Sequence, residues 1–239
     1  MKQPFAISIL SMIASLGFAE PTDTSLADKI AERKAASSKK ANPEKKAIYK
    51  KGIDMVAESG IVENAIQEGD MAPDFTLKNH LGEEVTLSEQ LKKGPVVLTW
   101  YRGGWCPYCN IQLAAYQEIL PDLKELNAQL IAISPEVPDK SLDTIESNKL
   151  AFTVLSDLNL TVAKQYNIVF KLYSEVGKIY KGFFDIKEYN GEEAAEDELP
   201  LAATYVINTD GKVVYSFLDA DYTARAEPAK IFEVVKSLK

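Results

Sequence analysis

The chain has 239 residues, 46% of them hydrophobic, which is enough for one globular domain of moderate size plus additional sequence. Its formal net charge of −8 argues against nucleic acid or an anionic membrane surface as a partner. Zinc normally takes four ligands, and the chain has two cysteines and one histidine, so no metal or other cofactor is predicted. The histidine, His80, is expected to be an exposed turn residue.

The first residues have the pattern of a secretory signal peptide. Met1-Lys2 is a short positive start, Pro4 to Phe18 is apolar, and Gly17-Phe18-Ala19 is a small-residue exit. Cleavage near Ala19 predicts a mature chain that begins near Glu20, in a periplasmic or extracellular space where disulfides persist, with no membrane insertion after cleavage. An uncleaved anchor is the alternative, although the apolar run is short for a membrane span.

Residues 20–68 predict a helical extension that follows the signal peptide of residues 1–19. Asn42-Pro43 divides it into a helix from about Ser25 to Ala36 and a second helix that starts at Pro43 and ends at Ser59-Gly60. Amphipathic helices of this kind are expected to pack on their own domain, which we favour over a partner-binding arm.

Residues 69–239 predict a second, larger domain in which strands and helices alternate. Two apolar strands at 96–100 and 130–134 flank a helix at 111–127, which indicates a parallel right-handed crossover. Residues 169–199 are expected to form an irregular insertion with an acidic loop. The remaining predictions are hairpins of 75–77 with 84–87 and of 204–207 with 212–217, a strand at 153–155, and helices at 89–92, 141–149, 160–166 (capped by Asn159) and 228–238.

Both cysteines lie in the segment Tyr101–Asn110, where the strand at 96–100 turns into a helix. Two cysteines separated by two residues at such a junction are the layout of a dithiol/disulfide redox site. Cys106 is predicted at the helix start, where free backbone N–H groups and the helix dipole favour a thiolate. Cys109 lies one turn on, where it can attack the first sulfur and close a disulfide. A structural disulfide is the alternative, but so short a loop removes little unfolded-state entropy.

The residues around the cysteines are predicted to support this chemistry. Arg102 would stabilise a thiolate and donate to a bound peroxide oxygen or disulfide. Trp105 is expected to shield the sulfur and Tyr108 to offer a surface for partner docking, with Pro107 as a further supporting residue. An ordinary loop residue, for Arg102, and plain packing, for the two aromatic residues, are the alternatives.

Several motifs resemble the peroxiredoxin-like branch of the thioredoxin-fold proteins, the alkyl hydroperoxide reductase/thiol-specific antioxidant family. The resemblance covers about residues 52–239 and rests on Gly69–Phe75, Gly94–Leu98, Tyr101–Asn110, Ala132–Pro135, Leu155–Asp157 and Asp219–Arg225. It implies an α/β, thioredoxin-like fold with a central mixed β-sheet and helices on both faces, beside the N-terminal helical extension.

The two parent families align to different cysteines. The thioredoxin pattern fits Tyr101–Cys109 without a gap and makes Cys106 the attacking thiol. The peroxiredoxin pattern of Pro, three residues, Thr, two residues and Cys places Arg102 at the Pro, Cys106 at the Thr and Cys109 at the peroxidatic position. In that family the Thr hydroxyl and the Pro-shaped pocket hold the peroxide, and this chain has neither Pro nor Thr at the two aligned positions. Which cysteine attacks therefore stays open at the level of sequence.

The resemblance implies a thiol peroxidase that reduces hydroperoxides through a Cys106–Cys109 dithiol/disulfide cycle, with an external dithiol of thioredoxin type as reductant. A periplasmic protein thiol–disulfide oxidoreductase is the first alternative, with a protein disulfide as substrate. A non-catalytic binding module with a structural disulfide is the second. The sequence Cys106-Pro107-Tyr108-Cys109 is also that of glutaredoxins, but four residues are weak evidence for glutathione binding. Export would require a membrane-coupled electron donor.

Overall fold

The computed structural model describes residues 25–239. The predicted signal peptide and its cleavage point lie outside the described residues. Within residues 25–239, no helix has both the length and the apolar character that a membrane crossing requires.

One seven-stranded mixed sheet forms the centre of the molecule, and a separate two-stranded sheet lies in the 169–199 region. The strands are β1 Thr76–Asn79, β2 Glu84–Thr86, β3 Val96–Trp100, β4 Gln129–Ser134, β5 Thr153–Ser156, β6 Val169–Lys171, β7 Glu198–Pro200, β8 Thr204–Ile207 and β9 Val213–Phe217. The large sheet has the order β2-β1-β5-β4-β3-β8-β9. Strands β3, β4 and β5 are parallel, whereas β1 and β8 join them antiparallel, so the predicted mixed sheet is confirmed.

Eleven α-helices and one short 3₁₀ turn are found within residues 25–239. The helices are α1 Leu26–Lys40, α2 Pro43–Glu58, α3 Ile61–Asn64, α4 Leu87–Leu91, α5 Pro107–Glu118, α6 Leu120–Glu125, α7 Pro138–Asn148, α8 Thr161–Gln165, α9 Ser174–Lys181, α10 Ile186–Asn190 and α11 Pro228–Lys236, and the 3₁₀ turn is Leu158–Leu160.

Strand β3 lies near the middle of the sheet, and all five of its residues are buried. Its alternating side chains enter two different cores: Val97 packs beneath α5 and α6, whereas Leu98 and Trp100 pack on the opposite face with α8. Helices therefore cover both faces of the sheet, which explains the continuous apolar sequence of β3.

The helix predicted over 111–127 begins earlier and is divided in two. Pro107 occupies the first turn of α5, where its missing N–H costs nothing. Pro121 has no N–H to donate to the carbonyl of Gln117, so the chain breaks at Ile119 and restarts as α6.

The predicted Asn159 cap is wrong. Asn159 has a φ of 61° inside the 3₁₀ turn. The first turn of α8 is instead capped by Asp157, whose carboxylate accepts from the N–H groups of Val162 (2.9 Å) and Ala163 (2.8 Å).

The region 169–199 is more ordered than the irregular insertion predicted from its sequence. It contains α9 and α10 between the paired strands β6 and β7. Val176, Tyr180, Ile186 and Leu199 form a small core of their own. Its elements have three to eight residues each, too few for a periodic pattern to stand out.

The N-terminal helix α1 packs on the main domain. Its apolar residues Leu26 and Ile30 are buried in the same core as α5. The carboxylate of Glu227 accepts from the N–H groups of Leu26 (3.2 Å) and Ala27 (2.7 Å), two donors that the first helical turn leaves free. This attachment brings α1 and α2 alongside the segment that carries the cysteines.

Candidate active site

The two cysteines lie where β3 ends and α5 begins, at the carboxyl end of the strand. Cys106 is the N-cap residue of α5, and its N–H donates to the carbonyl of Gly103 at 3.0 Å. Gly103 has a φ of 142°, and a Cβ there would meet the Trp105 ring, so the turn requires glycine. The Cys106 side chain therefore lies at the N-terminus of α5, where the positive end of the helix dipole favours a thiolate.

Cys106 and Cys109 are both free thiols, and both are buried. Cys106 lines a cavity of about 650 Å³ that opens to solvent, whereas Cys109 lies behind it and is 0% exposed. The Cys109 sulfur accepts from the backbone N–H of Arg102 and from Nη2 of Arg225, each at 3.5 Å. A ligand in the cavity therefore meets the sulfur of Cys106 first.

The surroundings of the two thiols shift their pKa values in opposite directions. Burial raises the pKa of Cys106, but a hydrogen bond with Cys109 and the positive charges of Arg102 and Arg225 outweigh it and lower the pKa from 9.0 to about 5. Burial and the neighbouring Cys106 raise the pKa of Cys109 well above its usual range. One thiolate at Cys106 and one thiol at Cys109 are therefore favoured at neutral pH.

Arg102 is 1% exposed and is enclosed by aromatic side chains. Its guanidinium donates to the Tyr180 hydroxyl at 2.8 Å and lies 4.5 Å from the ring centre of Tyr222 and 5.0 Å from that of Trp105. Within residues 25–239, its Nε and Nη1 have no hydrogen-bond partner. The group is thus held near the cysteines with donors to spare for a ligand.

Arg225, which the sequence analysis did not place in the site, contacts Cys109 from the loop before α11. Its Nη1 donates to the carbonyls of Tyr222 and Ala224, which hold the guanidinium in place. Two signals in the sequence pointed to Arg225: it ends the family-like motif Asp219–Arg225, and arginine is scarce, since Arg33, Arg102 and Arg225 are the only arginines in the chain.

Glu136 is a second residue that sequence reasoning missed. Its carboxylate is fully buried and accepts from the backbone N–H of Gly104 (2.8 Å), the Tyr101 hydroxyl (2.9 Å) and the Thr144 hydroxyl (3.2 Å). Burial raises the pKa of Glu136, although these hydrogen bonds act in the opposite direction. The carboxylate ties the Gly103-Gly104 turn to the end of β4, so it positions the loop that presents Cys106.

The structure brings the other predicted site residues together. Trp105 stacks on Phe184 with ring centres 4.7 Å apart, and Pro107 lines the cavity beside Cys106. Tyr108 is 8% exposed and packs edge-on against Tyr222, so it is a cavity wall rather than an open docking surface.

His80 lies in the turn after β1 as predicted, but it is half-buried rather than exposed. His80 lines a different cavity, with Leu120 and Thr153, that contains none of the predicted site residues. Among residues 25–239, no group of three or more His, Cys, Asp or Glu side chains is arranged to hold a metal ion.

The sequence of this chain matches a known protein family. Residues 68–216 match the model of the AhpC/TSA family. The chain is 28% identical over 156 residues to peroxiredoxin Bcp of Escherichia coli K12, which covers 65% of this chain and 88% of the relative. It is 33% identical over 105 residues to a putative peroxiredoxin bcp of Haemophilus influenzae, which covers 44% of this chain and 67% of the relative.

A solved structure shows the same fold. Peroxidoxin BcpB from Mycobacterium tuberculosis superposes with a TM-score of 0.57 at 24% identity, over 73% of this chain and 99% of that one. The family match and the shared fold establish that this chain belongs to the AhpC/TSA family and is a peroxiredoxin-like protein of thioredoxin fold.

Proposed function

We propose that the protein reduces hydroperoxides at Cys106 and completes the reaction with Cys109. The observation that carries the proposal is the position of Cys106, a buried sulfur at a helix start whose thiolate is favoured and which lines an open cavity. Membership of the AhpC/TSA family supports a thiol-dependent peroxidase, the enzyme class that the sequence predicts.

The reaction would proceed in two steps. The Cys106 thiolate attacks the terminal oxygen of the hydroperoxide, so that an S–O bond forms, the O–O bond breaks, and the alcohol leaves after taking a proton. Cys106 is then a sulfenic acid. The Cys109 sulfur attacks it, the S–S bond forms, and the S–O bond breaks to release water. An external dithiol returns the disulfide to two thiols.

The two buried arginines have different places in this sequence. Arg102 lines the cavity and has two donors without a partner within residues 25–239, so it is suited to bind the peroxide oxygens and the developing charge on the leaving oxygen. Arg225 contacts the Cys109 sulfur, so its charge is suited to stabilise the second thiolate as it forms. This division supports Cys106 as the attacking residue, as the thioredoxin-type alignment predicts.

The compartment and the reductant are part of the proposal. A cleavable signal near Ala19 would place the mature chain in the periplasm or outside the cell, where a thioredoxin-type domain coupled to a membrane electron donor would have to reduce the disulfide. Fractionation of cells that express the full chain, with sequencing of the mature N-terminus, tests this part directly. A mature start near Glu20 in the periplasmic fraction is expected, and an intact N-terminus in the cytosol would contradict it.

The catalytic assignment is tested with the single variants Cys106→Ser and Cys109→Ser. Reduced Cys109→Ser is expected to consume one equivalent of hydrogen peroxide and to accumulate a sulfenic acid that a dimedone-type probe labels at Cys106. Cys106→Ser is expected to lose peroxide reduction. If the label appears at Cys109 in Cys106→Ser, the order is reversed. If neither the wild-type protein nor a variant reduces hydrogen peroxide faster than a free thiolate does, the peroxidase assignment is wrong and direct thiol–disulfide exchange becomes the proposed activity.

A further inference from the structure

The outer wall of the cavity above Cys106 is built by helices that precede the family match of residues 68–216. Arg33 and Lys34 reach it from α1, and Lys46 and Lys50 reach it from α2. In a chain with a net charge of −8, this concentration of four basic side chains at one cavity is a local reversal of charge. An anion is therefore attracted to this rim although the molecule as a whole repels it.

Two of the four cations are already paired. Lys34 forms an ion pair with Asp221 at 3.2 Å, and Lys50 forms one with Asp54 at 2.7 Å. Arg33 and Lys46 make no ion pair within residues 25–239. The rim thus has two exposed cations available for a ligand.

The inner wall is aromatic. Trp105, Tyr108, Tyr180, Phe184 and Tyr222 line the cavity around Cys106. Ring faces and edges of this kind bind apolar bodies, and they surround the sulfur rather than the rim. The cavity is therefore aromatic at its floor, where the Arg102 guanidinium also lies beside the sulfur, and positive at its edge.

The size of the cavity points to a ligand larger than hydrogen peroxide. A water molecule occupies about 30 Å³ in the liquid, and hydrogen peroxide is only slightly larger. The cavity has about 650 Å³, within the range that holds small organic ligands.

We propose that this cavity selects hydroperoxides that combine an apolar body with an anionic head, with the head at Arg33 and Lys46 and the O–O bond at Cys106. The inference rests on the proposed function and specifies its substrate class. The specificity comes from α1 and α2, so it is a property of this chain rather than of the segment that matches the family.

The test compares two soluble substrates that differ only in the head group: cumene hydroperoxide, which is neutral, and its para-carboxylate derivative. The wild-type protein is expected to have a kcat/KM about tenfold higher for the carboxylate, since each partly exposed ion pair contributes up to about a factor of five. The double variant Arg33→Gln/Lys46→Gln is expected to lose this preference while its rate with hydrogen peroxide is unchanged. Lys39→Gln, on α1 but not on the cavity, is the matched control.

A binding measurement separates this inference from the proposed function. The molecule 4-isopropylbenzoate has the same body and head but no O–O bond, and its binding is followed by the fluorescence of Trp105 at the cavity wall. The dissociation constant is expected to rise about tenfold in the double variant and, for the wild type, with added salt. Tight binding without peroxide reduction would contradict the proposed peroxidase activity and still support the anion site. Equal binding by wild type and double variant would overturn the anion site.

Discussion

At the scale of single residues, the reactivity of Cys106 depends on a buried positive charge. Arg102 is held among aromatic rings and by Tyr180, so its guanidinium stays beside the sulfur, and it forms no ion pair with a carboxylate within residues 25–239. Opposite charges in a desolvated site lower a thiol pKa by one unit or more, because the low local dielectric preserves their attraction.

Replacement of Arg102 by Met is therefore expected to raise the pKa of Cys106. The rate of alkylation by iodoacetamide reports the thiolate, and its midpoint in the intact protein is expected well below the pH at which an ordinary thiol ionises. The midpoint is expected to move upward by about 1 to 3 units in Arg102→Met. Tyr180→Phe, which removes the hydrogen bond but keeps the charge, is the control and is expected to shift the midpoint less. An unchanged midpoint in Arg102→Met would show that Arg102 does not lower this pKa and that the hydrogen bond with Cys109, Arg225 and the helix start set it.

Glu136 acts on the same site through the backbone. In Glu136→Ala the N–H of Gly104 and the hydroxyl of Tyr101 lose their buried acceptor, which costs about 1 to 3 kcal/mol for each group left unpaired. The free energy of unfolding, measured with urea, is expected to fall by about 2 to 4 kcal/mol. Glu136→Gln keeps an acceptor for Gly104 and is expected to lose less than half as much unfolding free energy as Glu136→Ala. Equal losses in both variants would show that the charge, and not the acceptor, holds the turn.

Some residues of the site could be predicted from the sequence and others could not. Arg102, Trp105 and Tyr108 are neighbours of the cysteines along the chain, so their proximity follows from covalent connection. Arg225 is 116 residues from Cys109, and only the folding of the chain brings it to the sulfur. A contact between residues so far apart along the chain cannot be inferred from local sequence patterns.

At the scale of elements, the packing of α1 is what completes the cavity. Ile30 is 5% exposed and buries its side chain in the core shared with α5. Together with the hydrogen bonds of Glu227 at the start of α1, this contact holds the α1 part of the basic rim over Cys106.

Ile30→Ala is expected to loosen α1 locally. Loss of the buried side chain costs about 2 to 4 kcal/mol at a site that can open without global unfolding. Hydrogen exchange followed by mass spectrometry should show faster exchange over α1 and α2, with exchange in β3 and β4 unchanged. Leu142→Ala, at an exposed position on α7, is the control. Uniform acceleration through the sheet would mean that α1 unfolds only together with the core.

Elements with a long periodic pattern were predictable. Strands β3 and β4 were recognised because each is a short, mostly apolar run, as expected of a strand buried on both faces. The helix between them was recognised from the periodic spacing of its apolar residues. The region from β6 to β7 was not, since its core depends on contacts between short segments and with α2. Asp157 was missed as a cap because the backbone reverses at Asn159 before α8 starts.

At the scale of the whole molecule, the redox state of the cysteines is linked to stability through pH. The pKa of Cys106 in the folded, reduced protein is lowered from 9.0 to about 5. Because the pKa is lower in the folded protein than in the unfolded chain, the Cys106 thiolate stabilises the fold. This contribution is complete above pH 9, the pKa of the unfolded chain, and is lost as the pH falls through 5. The oxidised protein has no such thiol.

The unfolding free energy of the reduced protein minus that of the oxidised protein is therefore expected to rise with pH. Between pH 5 and pH 8 the reduced form should gain about 3 kcal/mol relative to the oxidised form. Urea unfolding of both forms at four pH values in this interval measures the difference, and the oxidised form corrects for every group that titrates in both. Parallel curves would mean that Cys106 has an ordinary pKa.

The sequence by itself determined the dithiol, the helix start beneath it and the alternation of strands and helices, because these depend on spacing over a few residues and on local backbone preference. It also determined the family, through motifs that lie along one stretch of the chain. Only the tertiary structure decided that Cys106 faces the cavity and Cys109 the interior, that Arg225 and Glu136 belong to the site, and that α1 and α2 surround it with positive charge. Burial, desolvation and the meeting of distant residues are properties of the packed molecule, and no single segment contains them.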